Sequence, residues 1–128
     1  MKDVYHDHKA TRAIAPAVYS TGGAGTTVDL EGFNSALFAI NTGAIVSSGN
    51  FGITMQEADD DSESWFENVA PDDQLGTLPA TLAASTTYRL SYIGSKRFVR
   101  LVYDKASGTS IALSAVAVLG HPRMAPVA

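Results

Sequence analysis

Two histidines flank an aspartate near the start of the chain, in a pattern that could hold a metal ion. In an extended segment His6 and His8 project to the same side, and imidazoles with a carboxylate such as Asp7 can ligate zinc or another transition metal. A solvated segment is the favoured interpretation, because His121 lies far away in the sequence and has no matched partner. We therefore expect no bound metal.

A run of carboxylates is the second candidate site, in this case for calcium. Asp59, Asp60 and Asp61 are consecutive, with Glu57 and Glu63 on either side, and calcium prefers clustered oxygen ligands. The EF-hand pattern also requires a central glycine and flanking helices, neither of which the sequence shows. A solvated acidic turn is favoured, with weak calcium binding outside any known loop motif as the alternative.

The sequence lacks the residue combinations that catalysis uses. The chain has no cysteine and no Gly-x-Ser-x-Gly motif, and its three histidines lie towards the two ends. Glu57 and Glu67 could form a glycosidase pair, but their crowding among other acidic residues favours a role in solubility. The glycines at 22–25 are not followed by the Lys-Ser/Thr of a phosphate-binding loop. We expect that the protein is not an enzyme and uses no cofactor.

The charges are distributed unevenly along the chain. Of the 13 acidic residues, eight lie between positions 57 and 73, and of the 9 basic residues, five lie between 89 and 105. The net charge of -4 argues against nucleic-acid binding. Two solvated faces are the simplest interpretation. The alternative is a pair of complementary surfaces, in which the acidic loop of one copy meets the basic strand of a neighbour.

The N-terminal residues and the hydropathy of the chain bear on its compartment. The first eight residues are polar and lack the apolar stretch of a secretory signal. No segment approaches the roughly 18 consecutive apolar residues of a membrane-spanning helix. We therefore expect synthesis in a cytoplasm and no membrane partner.

The pattern of apolar residues predicts a single all-β domain, with an extended N-terminal arm at 1–12 and a β-sandwich or barrel at 13–128. A jelly-roll and an immunoglobulin-like topology are both compatible with the strand spacing. Pro16 lacks a backbone N–H, which places the strand at 13–19 on a sheet edge. Residues 35–41 and 111–119 are apolar on both sides and predict central strands, while 42–44 reads as a turn.

The other predicted strands follow from alternation and from turn residues. Residues 51–56 alternate most regularly, and 64–69 is predicted as a strand carrying Trp65 and Phe66. Residues 87–93 and 96–103 are separated by Gly94-Ser95 only, which predicts a β-hairpin.

Three segments resemble small head proteins of tailed phages and gene-transfer agents. These are residues 27–36, 92–101 and 117–123, the last followed by Pro126. The resemblance covers nearly the whole chain, and its motifs are structural rather than catalytic. It implies a β-rich capsid decoration or cement protein on the capsid surface of a virion. The implied partners are the major capsid protein and further copies of the chain, with a trimer favoured.

A decoration protein needs a rigid body and surfaces for its partners, and often an arm that orders on binding. The alternatives are another virion component (a head–tail connector, tail tube or tail tip) and a carbohydrate- or receptor-binding module. The predicted contacts with capsid or neighbouring copies are Tyr5, His6, His8 and Arg12 of the arm, Asp59, Asp60 and Asp61 of the acidic loop, and Lys96, Arg97 and Arg100 of the basic strand.

Overall fold

Two antiparallel β-sheets packed face to face form the body of the protein, as a computed structural model that describes residues 3–60 and 65–122 shows. Each sheet is an open path of strands rather than a closed ring. The prediction of an all-β sandwich is therefore confirmed, and the barrel alternative is wrong. The described residues include no α-helix.

Sheet A and sheet B contain five strands each. In spatial order, sheet A consists of β1 (Lys9–Tyr19), β10 (Ser110–Pro122), β4 (Phe33–Val46), β8 (Thr87–Tyr92) and β7 (Gln74–Leu75). In sheet B the order is β2 (Gly23–Ala24), β9 (Phe98–Ser107), β5 (Asn50–Ala58) and β6 (Glu67–Asn68), and β3 (Val28–Asp29) also pairs with β9. A short 3₁₀ helix, Pro71–Asp73, precedes β7.

Alternating side chains of the long strands fill the space between the sheets. Phe38 and Ile40 of β4 and Leu101 of β9 are fully buried, and β10 contributes a row of inward-facing residues that ends at Leu119. This period of two is what a half-buried strand requires, because successive side chains point to opposite faces. The core therefore forms mainly from the four longest inner strands, β4, β5, β9 and β10.

The first strand begins earlier than its sequence suggests. Lys9 to Arg12, which the sequence placed in the arm, pair with residues 116–119 of β10. Backbone pairing holds these residues, and it leaves no trace in the side-chain pattern. Pro16 lies where the register with β10 shifts between Ile14 and Ala17, and β1 is an edge strand of sheet A as predicted.

The predicted hairpin at 87–103 is wrong. The strand β8 is hydrogen-bonded to β4 on one side and to β7 on the other, so it has no free edge for β9. The chain instead crosses from sheet A to sheet B between Tyr92 and Phe98. It also changes sheet at the short turns between β4 and β5 and between β9 and β10, where Ser47, Ser48 and Gly108 have positive φ.

Two local predictions are also corrected. Residues 42–44 are not a turn: β4 continues to Val46 and bulges at Gly43, whose missing side chain leaves room for Ala112. Of the strand predicted at 64–69, only Glu67–Asn68 pairs with β5, while Trp65 is 58% exposed. Ser64, the first residue of that segment, and Asp61 of the acidic loop lie in 61–64, outside the described residues.

The loop between β7 and β8 covers one open side of the sandwich. Leu82 lies fully buried between the sheets, and its N–H donates to the Phe51 carbonyl at 2.9 Å. The buried Thr42 hydroxyl lies 2.6 Å from the carbonyl oxygen of Ala83 and accepts from the N–H of Thr86 at 2.9 Å. These bonds attach the loop to both sheets.

Candidate functional site

The segment that crosses between the sheets lines a cleft of about 480 Å³ at one end of the sandwich. We call it the charged cleft. Its lining comes from the residues between β3 and β4, the start of β4, the residue after β5, and the end of β8 with the residues that follow it. It consists of Leu30, Glu31, Phe33, Asn34, Ser35, Ala36, Asp59, Tyr92, Gly94, Ser95, Lys96 and Arg97. Residues from the predicted acidic loop and from the predicted basic strand thus meet here within one copy of the chain.

Tyr92 anchors the crossing segment to sheet B. Its side chain is buried, its hydroxyl donates to Oε1 of Glu57 at 2.8 Å, and the hydroxyl accepts from the Lys96 N–H at 3.0 Å. Burial, and then the hydrogen bond to Glu57, raise the pKa of Tyr92 far above its ordinary value. The hydroxyl therefore remains a protonated donor, and its role is structural.

Lys96 and Arg97 both have carboxylate partners in the same copy. Lys96 Nζ lies 2.8 Å from Asp59 Oδ2, and this contact raises the pKa of Lys96. Arg97 donates from Nε and Nη2 to the two carboxylate oxygens of Asp29, at 3.0 and 2.9 Å, and also contacts Glu31 at 2.8 Å. The hydrogen bonds from Arg97 lower the pKa of Asp29. The charge complementarity that the sequence suggested between copies is thus formed here inside one chain.

Arg100 is part of the fold rather than of its surface. Only 7% of it is exposed, its Nε donates to Gln56 Oε1 at 2.9 Å, and its guanidinium lies 4.1 Å from the centre of the Phe66 ring. Phe66 packs over the outer face of sheet B through this contact. Of the acidic residues predicted as contacts, Asp59 forms an ion pair with Lys96, and Asp60 is exposed.

Residues 3–8 form a turn rather than an extended segment. Asp3 accepts from the Tyr5 N–H at 2.7 Å and contacts His6 Nδ1 at 2.5 Å, and the hydrogen bond with His6 lowers the pKa of Asp3. His8 donates from Nδ1 to the Val4 carbonyl at 3.0 Å. The two histidines thus have separate partners. Across residues 3–60 and 65–122, no three His, Cys, Asp or Glu side chains form a group that could hold a metal.

His8, which precedes β1, and the last residues of β10 meet at one end of sheet A. A side chain at Gly120 would touch His8 and Ser35, and His121 Nδ1 lies 2.9 Å from Ser35 Oγ. A serine hydroxyl beside an imidazole is one part of a nucleophilic site. Within the described part of the chain no carboxylate is hydrogen-bonded to His121, so the third part, a group that orients the imidazole, is not assembled.

The outer face of sheet A is the surface that sequence reasoning missed. Val116 and Leu37 are 42% and 37% exposed there, although both lie in strands predicted to be buried on two sides. Arg12, Val116, Ala39 and Arg89 lie side by side in one row across β1, β10, β4 and β8. The sequence did contain a signal for this surface. Strands β4 and β10 carry apolar residues on both faces, and because an open sandwich covers only one face of each sheet, some of these residues must lie on the outer face.

The chain is similar in fold to a solved phage-related structure. The crystal structure of the SPBc2 prophage-derived protein YomS superposes with a TM-score of 0.56 and 14% sequence identity, over 88% of this chain and 92% of that one. At this identity the likeness shows a common fold. No family model matches the chain, and no curated protein matches it. Among the described residues, no helix has the length and apolarity needed to span a membrane.

Proposed function

We propose that this chain is a structural protein of a bacteriophage particle, and that it decorates the outside of the head as a cement protein. The observation that carries the proposal is the likeness to a prophage-derived protein over nearly the full length of both chains. The resemblance of residues 27–36, 92–101 and 117–123 to small head proteins of tailed phages supports the same class of protein.

The geometry supports a binding role rather than chemistry. The polar groups of the charged cleft that could act on a substrate are held in structural contacts, with Tyr92 on Glu57, Lys96 on Asp59 and Arg97 on Asp29. These bonds fix the segment that joins the two sheets. The result is a rigid body whose outer surfaces remain available to partners, as a protein that stabilises a shell requires.

The proposed partners are the major capsid protein and other copies of the chain, on the capsid surface of a virion assembled in the host cytoplasm. Tyr5, 80% exposed in the N-terminal turn, and Arg12, exposed on the edge strand β1, are available for such contacts. We expect that removing residues 2–8, which precede β1, weakens attachment to heads without unfolding the sandwich.

The copy number of the protein in purified particles tests the proposal. Particles from the strain that encodes the chain would be purified on a density gradient, and quantitative mass spectrometry would compare this protein with the major capsid protein. A decoration protein is expected in hundreds of copies per head. A dozen copies or fewer would point to a connector, tail tube or tail tip instead. Absence from full particles would overturn both assignments.

Exposure of Trp65 favours one further candidate, a carbohydrate- or receptor-binding module. An aromatic ring that presents its face to solvent is a common platform for sugars, and Trp65 is 58% exposed. A glycan array with the full chain and with Trp65→Ala tests this role, and Leu75→Ala is a matched control because Leu75 is equally exposed at 58%. Binding that only Trp65→Ala abolishes would support the carbohydrate role.

A further inference from the structure

The outer face of sheet A combines apolar side chains with two arginines. Val118 and Leu37 are neighbours in the row beside that of Val116 and Ala39, so the centre of the face is apolar. Arg12 and Arg89 lie at the two ends of the row that contains Val116 and Ala39. With strands about 4.8 Å apart, three strand spacings separate the arginine backbones by about 14 Å.

Neither arginine has a partner among the described residues of its own copy. In residues 3–60 and 65–122, no ion pair or hydrogen bond engages the side chain of Arg12 or Arg89. Both residues are exposed. An apolar strip flanked by guanidinium groups has the composition of an interface, because the centre of a protein–protein contact is rich in apolar area and in arginine.

The arginines disfavour one obvious occupant, the same face of a second copy. A two-fold face-to-face contact would bring the four guanidinium groups of the two copies close together, and like charges across an interface repel. The favoured occupant carries exposed carboxylates.

The chain itself carries such a group at the opposite edge of sheet A. The 3₁₀ helix Pro71–Asp73 precedes β7, the strand farthest from β1, and the Asp73 carbonyl accepts from the Ile93 N–H at 2.8 Å. No cation is paired with the carboxylates of Asp72 and Asp73 in the part of the chain that the structure describes. Four strand spacings, about 19 Å, separate this acidic edge from β1.

We propose that copies of this chain associate head to tail, with Asp72 and Asp73 of one copy on the Arg12 and Arg89 face of the next. The contact joins two different surfaces, so it generates a closed ring or an open chain rather than a two-fold dimer. It names a partner for the proposed particle protein and in that sense rests on the proposed function. Its physical basis is the charge complementarity between the outer face of sheet A, with Arg12 on β1 and Arg89 on β8, and the acidic group beside β7.

Charge reversal of the full chain, measured by sedimentation velocity, tests this contact. Arg89→Glu is expected to weaken self-association at least about tenfold, while Lys105→Glu makes the same charge change on β9 of sheet B and should leave it unchanged. Raising the salt concentration should weaken wild-type association as well, because exposed ion pairs are screened.

A variant reversed on both sides supplies the decisive measurement. Arg12→Glu/Arg89→Glu and Asp72→Arg/Asp73→Arg should each be monomeric, and the chain that carries all four changes should associate again. Failure of the four-fold variant to associate while its circular dichroism remains native would overturn the proposal. So would a wild-type chain that stays monomeric at every soluble concentration, or a loss of association in Lys105→Glu equal to that in Arg89→Glu.

These outcomes are separable from those that bear on the proposed function. A monomer that is present in hundreds of copies on heads would overturn the head-to-tail contact and leave the cement role standing. A salt-sensitive oligomer that is absent from particles would do the reverse.

Discussion

The charged cleft and the outer face of sheet A use arginine in opposite ways. In the charged cleft, Arg97 holds two carboxylates of its own copy and joins the end of β3 to the segment that crosses between the sheets. On sheet A, Arg12 and Arg89 have no such partner among the described residues. The first arrangement stabilises the fold, and the second leaves charge available for another molecule.

This difference shows what a count of charges along a sequence leaves out. Lys96, Arg97 and Arg100 were candidates for contacts between copies because they cluster in the sequence. Folding places carboxylates or a ring beside each of them. Arg89 belongs to the same basic segment, but it points from β8 to the opposite side of the sandwich. Which cations remain available depends on which carboxylates and rings the fold places beside them.

The largest loss of stability is expected at Arg100, the buried end of the basic segment. Arg100→Ala removes the contact with the Phe66 ring and leaves the Gln56 side chain without its donor. Loss of a cation–π contact and a hydrogen bond should lower the free energy of unfolding by roughly 2 kcal/mol. Urea denaturation measures the effect, with Arg89→Ala as the control. Equal midpoints for the two variants would mean that the buried Arg100 stabilises the fold no more than the exposed Arg89 does.

Tyr92→Phe is expected to have the next largest effect. The change removes only the hydroxyl that donates to Glu57 and accepts from the Lys96 N–H, and a part-buried hydrogen bond of this kind contributes about 1 kcal/mol. Tyr5→Phe is the matched control, because Tyr5 is 80% exposed. The same urea experiment compares the two. A Tyr92→Phe chain as stable as Tyr5→Phe would mean that the crossing segment is held by packing alone.

Arg97→Ala should cost less, and its cost should depend on pH. Arg97 and Asp29 are both about half exposed, so their pair is screened and contributes at most about 1 kcal/mol. Because Arg97 lowers the pKa of Asp29 below the ordinary 3.8, the contribution is present at pH values above 3.8 and is lost as the pH falls through the lowered pKa. The difference in unfolding free energy between wild type and Arg97→Ala should therefore be full at pH 7 and should shrink as the pH falls below 3.8. A difference that does not shrink on acidification would assign it to packing.

The sequence predicted the sandwich better than it predicted the connections. Alternation in residues 51–56 and the two-sided run at 111–119 gave strands in the right places because side-chain burial determines both. The hairpin at 87–103 failed because a short Gly-Ser link can also carry the chain from one sheet to the other. Only the pairing of β8 with β4 and β7 distinguishes these two cases.

The candidate surfaces were predictable in part. Arg12 was expected as a contact residue and is exposed on β1. Arg89 was missed because its role depends on a row across four strands, from β1 to β8, whose members are far apart in the sequence. Likewise, the turn of residues 3–8 depends on local hydrogen bonds of Asp3 and Val4, which a search for alternating side chains cannot detect.

The two arginines on the outer face of sheet A are expected to contribute least to the stability of the fold and most to self-association. Arg12→Ala/Arg89→Ala removes two exposed side chains that have no partner within the described copy, so the free energy of unfolding should change by less than about 0.5 kcal/mol. Urea denaturation of the variant at a concentration where the wild type is monomeric measures this term alone. A loss as large as that in Arg97→Ala would show that the arginines of sheet A stabilise the fold as Arg97 of the charged cleft does. An unchanged midpoint, together with weaker self-association, would assign them to the contact between copies.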